Sequence, residues 1–306
     1  MVAFILRRFA SLLVVLFCVV TITFLLVRLA PGGPFSRERK IPEHIEKQLL
    51  ARYKLDGTLW QQYTDYLGDL VRGDLRLSTK FRDRSVNELI GQSLPVSAQL
   101  GGAAFLIATL GGIWLGSLAA VRHRTWIDAT SMLGALAAIS VPSFVTGPLL
   151  VLIFALHLGW LPVGGWASWQ SIILPALTLA GPYVAYIARL MRTSMLEVLG
   201  QDFVRTARAK GLAESRVIYK HAMKVAIVPV VSFLGPLAAN LLTGSIVVEA
   251  IFNIPGTGGF FVNSIINRDV FLLSGIVIVY CAVLVCLNLV VDVAYTFLDR
   301  RIKLYE

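Results

Sequence analysis

Long apolar runs alternate with short charged stretches along this chain. Six runs reach the length of about 20 residues that a helix needs to cross a hydrocarbon layer. They fall near 9 to 29, 96 to 121, 127 to 157, 172 to 194, 225 to 251 and 271 to 298. The pattern predicts an all-α integral membrane protein with six transmembrane helices. Arg7 and Arg8 precede the first run as in a signal peptide, but the run exceeds a usual signal core and lacks a small-residue cleavage site, so a retained span is expected.

Between the first two runs, Leu59, Tyr63, Leu67 and Leu70 recur at helical spacing until Gly73. This predicts an amphipathic helix lying across the membrane face. Ser85 and Glu88 then stand at capping-box spacing ahead of Leu89 and Ile90, predicting a short interfacial helix that Pro95 interrupts before the second span. A second polar stretch, 201 to 224, carries six lysines and arginines. Leu196, Leu199, Phe203 and Ala207 form one stripe there, while Gln201, Arg205 and Arg208 point the other way. Gly211 permits a sharp helix stop, after which Arg216, Lys220 and Lys224 follow at four-residue steps. The stretch reads as helix, turn, helix.

The expected organisation is therefore a first span within 1–30, an outer segment 31–95, a core 96–298 carrying a cytoplasmic loop 195–224, and a tail 299–306. Composition agrees with a membrane protein: 57% of the 306 residues are hydrophobic and 15% charged, and the mean hydropathy is +0.74. The formal charge of +10 does not point to nucleic acid, because the basic residues flank the spans and no aromatic platform interleaves them. Lysine and arginine gather at Arg7 and Arg8, Arg122 and Arg124, 189 to 224, and Arg300, Arg301 and Lys303, whereas 158 to 171 has none and 252 to 270 only Arg268. Positive charge stays inside, so both termini are expected in the cytoplasm. Trp160, Trp166 and Trp169 in the charge-poor loop read as interfacial anchors.

Chemistry-bearing patterns are absent. No phosphate-binding G-x-x-x-x-G-K-[ST], zinc spacing, H-E-x-x-H or nucleophile elbow occurs, so no catalytic or metal-ligating residue is expected and the chain does not itself hydrolyse ATP. Cys18, Cys281 and Cys286 lie in apolar runs and read as small hydrophobic residues. Pro142, Pro148, Pro175, Pro182, Pro229 and Pro236 lie in apolar segments as static kinks or as hinges, and Gly101, Gly111, Gly112 and Gly116 permit close helix approach. Charge at membrane depth is costly. Asp292, with Asn288 one turn before it, is therefore expected to form a structural ion pair with Arg189 or Arg192, with proton relay as the rival reading.

Several stretches carry a resemblance. "VRTARAKGL" followed by "HAM" and Pro229, "RLAPGGPFSRER" after the first span, "VPSF", "LGWLPVGGW", "FNIPGTGGFFVNSIINRD" and "NLVVDVAY" together resemble permease subunits of ABC transporters in the peptide and nickel family, over essentially the whole chain. Within that family the likeness is to the B-type membrane subunit of oligopeptide permeases. The resemblance implies a type I ABC importer permease fold in a bacterial inner membrane, forming half of a pathway for oligopeptides, with dipeptide or nickel import as the near alternatives. An ion-coupled secondary transporter is the alternative from another class; it predicts internal repeats that the sequence does not display. The implied partners are a C-type permease, two ATP-binding subunits, an extracytoplasmic peptide-binding protein and membrane lipid. No cofactor is expected on the chain itself, with ATP and magnesium used by the partner ATPases. Phe203, Arg205, Thr206, Ala207, Arg208, Lys210 and Gly211 would belong to a coupling helix entering a groove on an ATPase. Glu249 either snorkels to water or, with Pro255 and Gly256, helps form the outer mouth.

Overall fold

A computed structural model describes the backbone of residues 2–29 and 42–298, with the side chains of those segments apart from residues 2–6, 8, 43, 46 and 291–298. Among the described residues the chain is helical, with only an isolated bridge between Leu77 and Ser85. The helices are α1 (Val2–Leu29), α2 (Glu43–Arg52), α3 (Leu59–Val71), α4 (Val86–Val121), α5 (Trp126–Ser140), α6 (Ser143–Leu150), α7 (Ile173–Leu199), α8 (Asp202–Ala209), α9 (Glu214–Arg216), α10 (Met223–Ala226), α11 (Val228–Leu242), α12 (Ile246–Ile251), α13 (Thr257–Ile266) and α14 (Val270–Leu298). Among the described residues four helices are long and apolar enough to cross a membrane, and up to six spans result if each of two bent pairs counts as one.

The bends have local causes. The expected span 127 to 157 breaks by 109° between Trp126–Ser140 and Ser143–His157. Val141 is extended there, with ψ of 118°, because the ring of Pro142 disfavours helical backbone in the residue before it. The second bend, 53°, separates Glu214–Ala226 from Val228–Leu242, where Pro229 stands in the first turn of α11. The expected span 225 to 251 is also shorter than anticipated, because Gly244 takes a φ of +98° and ends the helical path before α12. Pro95 corrects another expectation. It does not interrupt the chain but lies inside α4, which runs unbroken from Val86 to Val121. Gly91, whose carbonyl loses its partner to the proline, is exposed and so open to other donors.

The chain divides into two compact units, one of Met1–Val96 and Gly256–Cys286, the other of Ser97–Pro255 and Leu287–Tyr305. In the first, Thr58 and Gln61 form a reciprocal capping box that starts α3. Tyr63, Leu67 and Leu70 pack against Val20, Phe24 and Tyr66 as the spacing anticipates, and the Tyr63 hydroxyl meets Thr21 Oγ1 at 2.7 Å. Leu59, by contrast, is 65% exposed. Asp269 fastens the loop before α4 to the start of α14: its carboxylate accepts from the Ser78 hydroxyl, from Thr79 N at 3.1 Å and from Leu272 N at 3.2 Å.

The second unit is centred on α7, whose buried face includes Ile187, Met191, Met195 and Val198. Glycine sets its closest approaches. A Cβ on Gly112 would lie 2.5 Å from Ile187 Cβ, and one on Gly116 would lie 2.3 Å from the Ala188 carbonyl oxygen. On Gly101 it would come within 2.0 Å of the Leu241 carbonyl oxygen, so α4 and α11 touch backbone to backbone.

Candidate functional site

The polar stretch 201 to 224 folds as two helices with a tight turn, but it is not continuous with the preceding span. Helix α7 ends at Leu199; Gly200 and Gln201 intervene, the latter extended at ψ 155°, and α8 starts at Asp202. The expected stripe is therefore split. Val204, fully buried, and Ala207, 7% exposed, anchor α8, whereas Phe203 is 40% exposed. The corner at Gly200 changes the helical phase, so the residue facing the core moves from 203 to 204.

The opposite face is displayed. The Arg205 side chain is 73% exposed and its nearest acid, Asp202, is 96% exposed at 3.6 Å, a geometry worth little to stability. Thr206 donates its hydroxyl to the Asp202 carbonyl at 2.9 Å, Lys210 caps the helix, and Gly211 takes the left-handed φ of +75° that the turn requires. Arg208 then reaches across the turn to Glu214 with a paired contact, Nη2 to Oε1 at 2.7 Å and Nε to Oε2 at 3.1 Å. That bond holds the Glu214 carboxyl below its ordinary range and the Arg208 guanidinium above its own. The sequence offered no partner for Arg208; the left-handed turn at Gly211 brings Glu214 within reach.

Beyond the turn, Val217–Ala222 is wound as a π-helix. Val217, Ala222 and Ala226 are fully buried, and Arg216, Lys220 and Lys224 are all exposed. The unit is thus anchored by small apolar side chains and presents Phe203, Arg205, Thr206 and a row of cations outward.

A polar cluster that sequence reasoning missed lies at the other end of α7's last turns. Asp128, 5% exposed, receives Arg192 Nε at 2.6 Å and Nη2 at 2.8 Å, the Arg124 backbone N–H at 3.1 Å, and meets His123 Nδ1 at 3.0 Å. The signal was an acid in the first turn of an apolar run, where the helix dipole favours it. Arg189 or Arg192 is expected beside Asp292, whose side chain lies outside the described residues; Asn288 is half-buried and Arg189 exposed.

Toward the opposite end of the same unit, Glu249 is 1% exposed and accepts the Ser97 hydroxyl at 2.7 Å. It does not snorkel to water. The left-handed Gly244 makes room for it, since a Cβ there would lie 2.6 Å from Glu249 Oε1. After it the chain turns: Phe252, 1% exposed, has its carbonyl held by Gly165 N–H at 2.7 Å, Pro255 is exposed and Gly256 buried at the head of α13.

Residues 112–304 match the family model described as the binding-protein-dependent transport system inner membrane component. The chain is also 44% identical over 305 residues to the oligopeptide transport system permease protein OppB of Haemophilus influenzae, covering 99% of this chain and all of that one. The chain belongs to this permease family. A third comparison, with the dipeptide transport system permease protein DppB of Bacillus subtilis, gives 41% identity over 306 residues, covering 100% of this chain and 99% of that one. Among solved structures, a chain of the inward-facing MetNI methionine ABC transporter superposes with a TM-score of 0.59 at 14% identity, over 69% of this chain and 97% of that one; that likeness carries the fold alone. The permease is an inner-membrane component of a bacterial ABC transporter, a transport subunit and not itself the ATPase. ABC permeases of its kind act with a partner permease, an ATPase and a binding protein.

Proposed function

We propose that this permease forms half of the translocation pathway of an oligopeptide importer and takes up the work of ATP hydrolysis through α8. A C-type permease completes the pathway, two ATP-binding subunits close on ATP and magnesium beneath it, and an extracytoplasmic peptide-binding protein delivers cargo. The chain itself carries no cofactor. Both termini face the cytoplasm, following the positive-inside distribution of lysine and arginine.

The single observation behind the coupling role is the division of labour within α8. Val204 and Ala207 are buried while the Arg205 side chain stands 73% exposed on a helix fixed at both ends by turns. A movement imposed on such a helix passes to the Val217–Ala222 π-helix packed against it and from there to α7 and α10, changing access at the pathway by a shift between two arrangements. Peptide as cargo rests on the 44% identity to an oligopeptide permease. Dipeptide import is the second reading, favoured by the 41% identity to a dipeptide permease.

Copurification tests the coupling. Arg205→Glu and Gly211→Trp, each in the full transporter, should release the ATPases while leaving the permease inserted at normal abundance. Retained ATPases and undiminished peptide uptake in both variants would remove α8 from the coupling role. Competition between labelled tripeptide and unlabelled dipeptide or nickel in proteoliposomes separates the cargo readings.

A further inference from the structure

Arg76 is a buried cation with only part of its hydrogen-bonding capacity used. The residue is 8% exposed and takes a φ of +69°, a region that a side-chain-bearing residue adopts rarely. Its guanidinium is held on three sides: Nε donates to Asp69 Oδ2 at 2.8 Å, and the rings of Tyr66 and Phe271 each lie 5.4 Å from its central carbon. The terminal nitrogens Nη1 and Nη2 are buried and have no hydrogen-bond partner among the described residues. Guanidinium carries five N–H donors; four of them are on these two nitrogens. Leaving such donors unmet is costly, and Arg76 lines a cavity of about 160 Å³ whose rim includes Arg52 and Lys54.

Donor chemistry selects an oxyanion, since a planar fork of N–H groups matches the paired oxygens of phosphate or carboxylate. The charge balance narrows it further. The lining sets three cations, Arg52, Lys54 and Arg76, against two carboxylates, Asp69 and Asp74, so a singly charged ligand fits better than a doubly charged one. The Arg52–Asp83 and Lys54–Asp69 contacts, at 2.7 and 3.3 Å, each have a cation more than half exposed and yield readily.

The cavity also lies at the membrane boundary. Tyr66, beneath Arg76, stacks on Phe24 at 5.9 Å, and Phe24 lies five residues before the end of the apolar α1, roughly 7 Å along the helix axis. Arg28 sits over the same Phe24 ring. Helix α3 meanwhile leaves Leu59, Trp60 and Val71 exposed at 65, 71 and 89%, the kind of side chains that settle between headgroups and acyl chains.

We propose that this cavity binds the phosphodiester of a membrane glycerophospholipid, with its free oxygens accepting from Nη1 and Nη2 of Arg76 and from Lys54. The purified transporter in detergent is titrated with dioctanoyl phosphatidylglycerol, with dioctanoylglycerol, which lacks the phosphate, and with inorganic phosphate, while native mass spectrometry counts retained ligand. One phosphatidylglycerol should be retained per permease, with neither of the other probes held comparably. Arg76→Lys, which keeps charge but loses the fork, should weaken retention by about tenfold, and Lys54→Gln, on the exposed rim, by about threefold. Equal retention of inorganic phosphate would overturn the lipid assignment. Lipid retention unchanged in Lys54→Gln and in Arg76→Lys would overturn the site, leaving water as the partner of Arg76; should Arg76→Lys fail to fold, an unchanged Lys54→Gln does so alone.

Discussion

Replacing Asp128 by alanine removes four contacts made by three residues together. Arg192 loses contacts at 2.6 and 2.8 Å, the Arg124 N–H one at 3.1 Å and His123 one at 3.0 Å. Breaking a buried ion pair by deleting one partner costs about 3–5 kcal/mol, because the surviving charge stays buried. Here the surviving side chains are not fully enclosed: Arg192 is 23% and His123 41% exposed. Both turn partly to water, which brings the expected loss to about 2–3 kcal/mol. Asp128→Asn keeps an acceptor without the charge and should lose about 1–2 kcal/mol. Unfolding of the purified permease in mixed micelles of dodecyl maltoside and dodecyl sulfate, followed by circular dichroism, measures each loss. Arg192→Gln alone and together with Asp128→Asn completes a cycle, and its coupling should exceed about 1 kcal/mol. An Asp128→Ala variant within about 0.5 kcal/mol of the parent, or a coupling indistinguishable from zero, would refute the assignment of this pair as the tie between α5 and α7.

Gly101→Ala should destabilise the permease by about 1–3 kcal/mol, since the new methyl meets the Leu241 carbonyl oxygen at 2.0 Å, whereas Gly102→Ala, with its nearest atom at 3.9 Å, should stay within about 0.5 kcal/mol in the same assay. Gly211→Ala forces a methyl-bearing residue to a φ of +75° and should cost about 1 kcal/mol locally, read as faster limited proteolysis between α8 and α9. Burial alone would raise the Asp69 carboxyl, but the Arg76 hydrogen bond and charge, with those of Lys54, hold it below the ordinary carboxylate value of 3.8. Its stabilising contribution is thus complete above that value and disappears as pH falls through the lowered one. Hydrogen exchange at α2 and α3 should accelerate only in that acid range, and Asp69→Asn should abolish the acceleration.

The apolar runs and the glycine turn were legible because each is a local signal. Gly211 stands where backbone sterics leave few other choices, and the α3 stripe repeats at the helical period. What escaped the reading depended on contacts distant in sequence or on a balance between competing local effects. Asp128 and Arg192 are 64 positions apart, and nothing in their neighbourhoods names the pairing. An interior proline costs a hydrogen bond and so reads as a break at Pro95, yet the packing of Val86, Leu89 and Ile90 before it keeps the helix in one piece. The stripe through Leu196, Leu199, Phe203 and Ala207 assumed one unbroken helix; the corner at Gly200 and Gln201 shifts the phase by one residue and exchanges Phe203 for Val204.

That exchange separates two kinds of inheritance within eight residues. Val204 and Ala207 are constrained from within by the packing of their own subunit, while Phe203 and Arg205 stand largely free of that constraint. Under the coupling role proposed above, selection can therefore rewrite the vocabulary of the outward face without retuning the interior that keeps the arm upright.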